Sequence, residues 1–237
     1  MLRKAKFLHS FADSGCTRNN MKLDLTIDLL CHEANLFALL ESQYHEITLH
    51  GVTDGKAIGT YLEHKFQQYL ADKYSYQRGN SAIGVDFPDL LVDMKVTRIN
   101  QPQSSCPFKS ARQKIYGLGY ALLVFVYDKT DNSDNKTANL QIMHVIYIAP
   151  HRTADFQTTQ GIQKILANEG NVDDLMAFMQ ERFLPVDEIE AQQIAEDILR
   201  NPPEIGYLTI SNALQWRLQY KRVIEQADQI DGVRRVY

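Results

Sequence analysis

Two aspartates and a lysine, Asp86, Asp93 and Lys95, stand close together in Gly84-Val-Asp-Phe-Pro-Asp-Leu-Leu-Val-Asp-Met-Lys-Val-Thr97. A further acid, Glu63, ends the segment Gly55-Lys-Ala-Ile-Gly-Thr-Tyr-Leu-Glu63. Carboxylates are the natural ligands of a hard divalent ion such as Mg2+, which binds through oxygen and keeps several waters. A lysine beside them holds an attacking water or neutralises charge developing on phosphate oxygens. These residue types fit metal-assisted hydrolysis of a phosphodiester, in which the ion polarises the phosphate and lowers the pKa of a bound water. Asp86 and Asp93 are the expected metal ligands, with Glu63 and the Met94 carbonyl as further candidates and Lys95 as the water-holding or charge-neutralising group.

Spacing argues that these groups meet. Leu91 to Thr97 is rich in branched apolar residues and predicts a strand, whose side chains alternate between faces. Asp93 and Lys95 therefore share one face, and Val92, Met94 and Val96 take the other. Ala82 to Asp86 predicts a shorter preceding strand, with Phe87 to Leu90 as the connection, because Pro88 belongs at an edge or turn. A reversal about Asp89 and Leu90 brings Asp86 opposite Asp93. Like charges opposed across a ladder destabilise it, and a divalent cation between them turns that liability into a site. Glu63 comes from a third element. Lys56 to Leu70 places Ile58, Leu62, Phe66 and Tyr69 at amphipathic helical spacing, with Asp54 as its N-cap. Glu63 falls at the edge of that stripe, within reach of a metal at the end of the sheet. Alone, Asp-x-Lys is more often a solvated pair and Glu63 a surface acid. The ordered set is what points to a site.

This set resembles the PD-(D/E)XK nuclease superfamily, and most closely its MutH-like branch. That branch includes the methyl-directed mismatch-repair nicking endonuclease and related type II restriction endonucleases. Members carry a Gly-rich helix start running to Leu/Ile-Glu, then Asp-Phe/Ile-Pro, then an acid-x-Lys strand. The matching residues are Gly55, Lys56, Gly59 and Glu63, then Asp86-Phe87-Pro88, then Asp93-Met94-Lys95. By that match Asp86 is the first acid, although Pro88-Asp89 spells the superfamily's literal dipeptide. The second acid is Asp where the repair enzyme's pattern has Glu. The resemblance covers about residues 54 to 98. It implies an α/β, restriction-endonuclease-like core, a central mixed β-sheet flanked by helices, with Mg2+ as cofactor and double-stranded DNA as substrate.

Downstream of the lysine, Arg98, Asn100, Gln101, Gln103, Ser104 and Ser105 precede a predicted helix carrying Lys109, Arg112 and Lys114. Arg and Lys favour guanine edges and Asn and Gln adenine, yet the same side chains contact phosphates without reading sequence. A structural loop followed by a basic helix face explains the stretch almost as well. Its likeness to segments after the catalytic lysine of bacterial restriction endonucleases implies a DNA-facing loop with Arg98, Gln101, Gln103, Ser104, Lys109, Arg112 and Lys114 as DNA contacts.

The elements around this core follow from pattern. Asp24 to Tyr44 predicts one or two helices under the core, and Lys109 to Gly117 a helix. Ala121 to Tyr127 is an apolar run of buried-strand length, Asp128 to Asn139 a polar turn, and Gln141 to Ala149 another strand. Helical patterns follow around 161–168, 172–183 and 186–200. Pro202-Pro203 breaks the chain before a last helix, Ser211 to Asp228, with Ser211 as N-cap. The connection from Asn201 to Ile210 is too long for a standard helix-turn-helix. On that last helix Trp216 and Tyr220 are expected as anchors, with Arg217, Lys221 and Arg222 more often a solvated face than a DNA contact. The expected organisation is one nuclease domain over 1–237, with a catalytic α-β-β-β-α-β core at 50–150 and a helical region at 151–237.

The chain has 237 residues, 44% hydrophobic and 23% charged, which suits a globular domain with a real core. Its net charge of −4 excludes a global basic footprint. Between Thr97 and Tyr116, however, four Lys/Arg residues occur and no acid, a patch sufficient to meet phosphates. Three cysteines without metal-ligand spacing fit a reducing cytoplasm, the histidines show no zinc pattern, and no stretch reaches membrane-spanning length. Three functions compete. The first is a site-specific type II restriction endonuclease, a homodimer with a cognate host methyltransferase as functional partner. The second is a strand-nicking repair endonuclease, and the third a non-catalytic DNA-binding protein on the same fold. The polar Gln/Ser-rich loop favours the first.

Overall fold

The computed structural model describes residues 22–79, 84–105, 110–211 and 217–237. Strand β1 (Leu23–Asp24) leads into helix α1 (Ile27–Ser42), and β2 (His45–Glu46) into α2 (Gly55–Ala71), followed by β3 (Tyr74–Ser75). Each helix starts where its cap dictates. Thr26 accepts from the Leu29 amide, and Asp54 from the amides of Lys56 and Ala57, satisfying donors that the first turn leaves unpaired. Helix α2 buries Ile58, Leu62, Phe66 and Leu70, one residue per turn, and α1 buries Leu30, Ala34, Phe37 and Ala38. Asp24 to Tyr44 thus holds one helix rather than two.

The sheet that receives these faces contains β4 (Val92–Arg98), β6 (Ala121–Asn132), β7 (Thr137–Ile148) and β10 (Val233–Arg235). Strands β5 (Gln103–Ser105) and helix α3 (Ala111–Tyr116) lie between β4 and β6. The order is β10-β7-β6-β4, with β2 also paired to β7. Strand β4 runs parallel to β6 and β7 antiparallel to it, so the sheet is mixed. Every residue from Ala121 to Tyr127 is buried, because both faces of β6 are covered. Alternate residues serve different cores. Leu123, Phe125 and Tyr127 pack with α1 and α2, where Phe66 lies 5.0 Å from Phe37 and 5.3 Å from Phe125 between ring centres. Leu122, Val124 and Val126 pack on the other side with Leu208, Leu218, Tyr220 and Val223. Burial of each such side chain contributes about 1.5–3 kcal/mol, so the sheet is clamped from both faces.

A third layer holds α4 (Phe156–Ala167), α5 (Val172–Glu181) and α6 (Glu188–Arg200), close to the expected positions. These helices enclose Ile162, Leu175, Met179, Ile194 and Ile198 together with Ala111 and Ile115 of α3. The mixed α/β architecture, a curled central sheet flanked by helices, is that of a restriction-endonuclease-like core. No helix among the described residues is long and apolar enough to cross a membrane.

Three local expectations are corrected. The polar stretch from Asp128 to Asn139 is mostly strand, since β6 runs to Asn132 and β7 begins at Thr137. On β6 this end is exposed from Thr130 to Asn132, so its pairing there carries no apolar pattern. The strand expected to end at Asp86 is reduced to one antiparallel bridge, Phe87 with Val92, while 80–83 lie outside the described residues. The last long helix is absent. Arg217–Gln219 forms β9 between β5 and β8 (Thr209–Ile210), and only Lys221–Gln226 is helical, as α7, before β10 joins β7. Pairing with a distant strand outweighs local helical spacing here. The Ser211 hydroxyl, expected as an N-cap, accepts from the Arg217 amide of β9; residues 212–216 lie outside the described residues.

Candidate active site

The acid cluster forms where the open edge of β4 meets the turn before it. Pro88–Leu90 makes a single 3-10 turn, and Leu91 takes a left-handed conformation at φ 51°. Such a conformation costs a residue with a Cβ roughly 1–2 kcal/mol. The turn throws Phe87 back onto Val92, and each amide donates to the other's carbonyl, at 2.9 and 3.2 Å. That register puts Asp86 opposite Asp93, as the spacing predicts. Asp86 Oδ2 then accepts from the Met94 amide at 2.8 Å, using a donor that an edge strand would otherwise leave exposed. By strand alternation the Met94 carbonyl faces the same open edge.

A glycine missed by sequence reasoning fixes Asp86 from behind. Gly79 N–H donates to the Asp86 carbonyl at 2.9 Å, and a Cβ on Gly79 would lie 2.0 Å from the Val85 carbonyl oxygen. No side chain fits there. A lone glycine in a polar stretch carries no signal of this role before the backbone is folded. Asp89 is occupied elsewhere, accepting from the Gln77 amide at 2.9 Å. Asp86 rather than Asp89 is therefore the acid that faces Asp93.

Val92 and Met94 pack into the core under α2, while Asp93 and Lys95 alternate away from it. Helix α2 lies against this edge closely enough that Gly59 approaches Val96, and one turn on it brings in Glu63. The Asp86 carboxyl is within hydrogen-bonding reach of both Glu63 and Asp93. Lys95 Nζ stands 2.6 Å from Oδ2 of the buried Asp93, a close charge-assisted contact. Burial, with the Asp86 carboxylate beside it, pushes Glu63 up to about 7. Burial likewise pushes Asp93 up to about 7, against the pull of Lys95 and with Asp86 adding to the rise. Three carboxylates share one lysine, a charge deficit that either protons or a cation must relieve.

Beside the cluster lies a groove of about 880 Å³, walled by the start of α2, the end of β4 and strands β5 and β9. Arg98, Gln101, Gln103 and Ser104, expected from sequence as DNA contacts, all line it. Thr97 ties the loop down, since its hydroxyl accepts from the Gln103 amide at 2.9 Å. Arg98 lies 3.6 Å from Asp128. Lys56 and Arg217 also line the groove. Arg217 arrives only through the β5–β9 pairing, which local sequence does not announce.

Other expected contacts lie elsewhere. Arg112 pairs with Asp197 of α6 at 2.6 Å. Lys114 is buried, and that burial depresses its pKa against the opposing charge of Asp155. Neither lines the groove; both belong to the packing of α3 on the helical layer. Lys109 and Trp216 fall outside the described residues. Arg222 stacks on the Phe156 ring at 3.7 Å, and Tyr220 is buried as an anchor.

A family model for the type II restriction enzyme NspV matches residues 24–235. The type II restriction enzyme NspV of Nostoc sp. is 67% identical over 213 residues, covering 90% of this chain and 97% of its own length. The chain belongs to the NspV family of type II restriction enzymes. No solved structure matches it. The NspV match takes in α2, the β4 edge and the β5–β9 ribbon alike, so the acid cluster and the groove both lie within the family's span.

Proposed function

We propose that this NspV-family chain is a Mg2+-dependent endodeoxyribonuclease of the PD-(D/E)XK, MutH-like kind, cutting double-stranded DNA at a specific sequence. The observation that carries this reading is the meeting of Glu63, Asp86 and Asp93 around Lys95 at the edge of β4, beside a polar groove. The name of its relative in Nostoc sp. supports the restriction activity.

The donor set fits a hard cation. No group of three or more His, Cys, Asp and Glu among the described residues forms a ready-made metal cage. Mg2+ does not ask for one, since it is held by one or two carboxylates plus waters and substrate phosphate. Asp86 and Asp93 would hold it, with the Met94 carbonyl and Glu63 completing the oxygen donors. The crowded carboxyls, two of them pushed up to about 7 beside one lysine, are what a cation would satisfy. When bound, the ion supplies Lewis acidity towards the scissile phosphate. Lys95, fixed by Asp93, neutralises charge on the phosphate oxygens and positions the attacking water. Arg98, Gln101 and Gln103 orient the duplex from the groove.

One centre per chain cuts one strand at a time, so double-strand cleavage asks for two copies, and a homodimer is proposed. A host methyltransferase that protects the same sequence is the expected functional partner, and the cytoplasm the expected site of action. Incubation with unmethylated plasmids of known sequence tests the reading. Discrete linear fragments that require Mg2+ are expected. Nicked circles alone would move the assignment to a strand-nicking enzyme, and no cutting of any DNA would reject it.

A further inference from the structure

One wall of the groove carries chemistry that the acid cluster does not use. Antiparallel pairing sets Gln103 opposite Gln219, Ser104 opposite Leu218 and Ser105 opposite Arg217. Directly opposed residues share a face of the ribbon. Leu218 is fully buried, and Ser104 turns inward with it to hydrogen-bond the Tyr220 hydroxyl. Gln103, Ser105 and Arg217 take the other face, and all three line the groove, as Ser104 also does in part. Among the described residues, neither the Arg217 guanidinium nor the Gln103 side-chain amide has a hydrogen-bond or ion-pair partner. Both are half-buried, so a ligand with acceptors and donors recovers what partial desolvation costs them.

The ribbon is also fixed relative to the chemistry. Gln103 is clipped to Thr97, two residues beyond Lys95 on the same strand. The Tyr220 amide donates to the Pro102 carbonyl at 2.8 Å, which ties β9 to the same loop. A base held by the ribbon therefore sits at a set distance from the scissile phosphate.

We infer that the β5–β9 ribbon is the sequence-reading element, with Arg217 and Gln103 as its base-edge contacts in the major groove and Lys56 gripping phosphate from the α2 wall. The inference rests on the restriction-endonuclease reading and adds to it a specificity-determining residue from the far end of the chain. The major groove admits a two-stranded ribbon. Arginine forms paired hydrogen bonds with guanine O6 and N7, and glutamine with adenine N6 and N7. Diagonal neighbours on one ribbon face are roughly 7 Å apart, about two base steps of roughly 3.4 Å each. Gln103 and Arg217 thus reach bases within one short site. Lys56 is exposed, lines the same groove and has no carboxylate partner among the described residues. A point charge there meets phosphate without reading sequence.

The experiment uses the full chain in Mg2+ and a duplex bearing the site that the parent itself cuts. Cleavage is compared with duplexes that each carry one changed base pair. Arg217→Ala is expected to lose about ten- to a hundredfold in kcat/KM on the parent site and to lose discrimination at one guanine position. Arg217→Lys restores charge without the planar fork and is expected not to restore that discrimination. Gln103→Ala should show the same pattern at a nearby adenine. Lys56→Ala should weaken binding uniformly and reduce its salt slope by about 1. Unchanged discrimination in both Arg217→Ala and Gln103→Ala, whether the rate falls uniformly or stays at the parent's, overturns the inference. If Arg217→Ala fails to fold by circular dichroism, Arg217→Lys and Gln103→Ala decide. A parent that cuts while Lys95→Ala does not, with ribbon variants reading like the parent, sinks this inference alone. A parent that cuts nothing sinks the enzyme reading with it.

Discussion

Two acid clusters beside helix α2 have opposite character. At its C-terminal end Glu33, from α1, is fully satisfied. Tyr69, Lys73 and Tyr74 all donate to its oxygens at 2.6–2.7 Å. Burial works to raise its pKa, but those three donors outweigh it and hold Glu33 below the ordinary carboxylate range. One turn and more towards the N-terminus, Glu63 meets Asp86 and Asp93 with a single lysine among them, and two of the three acids rise to about 7. The first arrangement is complete in itself and serves the fold. The second is short of positive charge among the described residues, which marks it as built for something that binds.

The largest expected effect separates the two outright. Lys95→Ala should lower cleavage by roughly a thousandfold or more, with a melting temperature near the parent's. Glu33→Ala should do the reverse, leaving the cleavage rate within about twofold while costing about 2 kcal/mol of stability in urea unfolding. Lys73 is partly exposed, so solvent screening keeps that cost modest. Parent-like cleavage by Lys95→Ala, or a large rate loss in Glu33→Ala at full stability, would erase the contrast.

Next in size is Gly79→Ala. Its added Cβ has no room against Val85, so Asp86 should shift and the rate fall about tenfold to a hundredfold. Measuring kcat against KM checks that the loss lies in the chemical step.

The pH response of the metal-free protein should also differ between the clusters. Glu33 has a depressed pKa, so its contribution is present above the ordinary carboxylate value and is lost as pH falls through its folded one. Glu63 and Asp93 are raised, so the folded chain holds protons that the unfolded chain has released. Their penalty grows from about pH 4 and is complete above about 7. In EDTA, melting curves should therefore show stability falling from pH 5 to 8, a slope that Asp93→Asn flattens and Glu33→Gln does not. Millimolar Mg2+ should restore about 1–2 kcal/mol above pH 7. The smallest effect is expected for Asp89→Asn, whose cleavage should stay within about twofold of the parent, because among the described residues Asp89 holds only the Gln77 amide.

How much of this could be read in the sequence follows from the range of the interactions. The Asp86–Asp93 opposition was legible, because a proline-initiated turn and strand alternation act over a few residues. Glu63 was legible because Ile58, Leu62 and Phe66 orient α2, and Asp54 caps it as expected. Arg112 and Lys114 misled. Their basic spacing looked like a DNA-facing helix, yet their charge partners Asp197 and Asp155 come from helices much later in the chain. The β5–β9 ribbon was invisible for the same reason, since three-residue strands carry almost no pattern and Arg217 meets Ser105 only after the fold closes.

The claim that the acid cluster cuts and the groove binds is tested most directly by giving Lys95→Ala and the parent the same duplex, scoring binding and cleavage side by side. The account predicts that Lys95→Ala binds the parent's site with the parent's preference and leaves it uncut in Mg2+. Cleavage at the parent's rate, or loss of site-specific binding by a variant that is still folded, would contradict it.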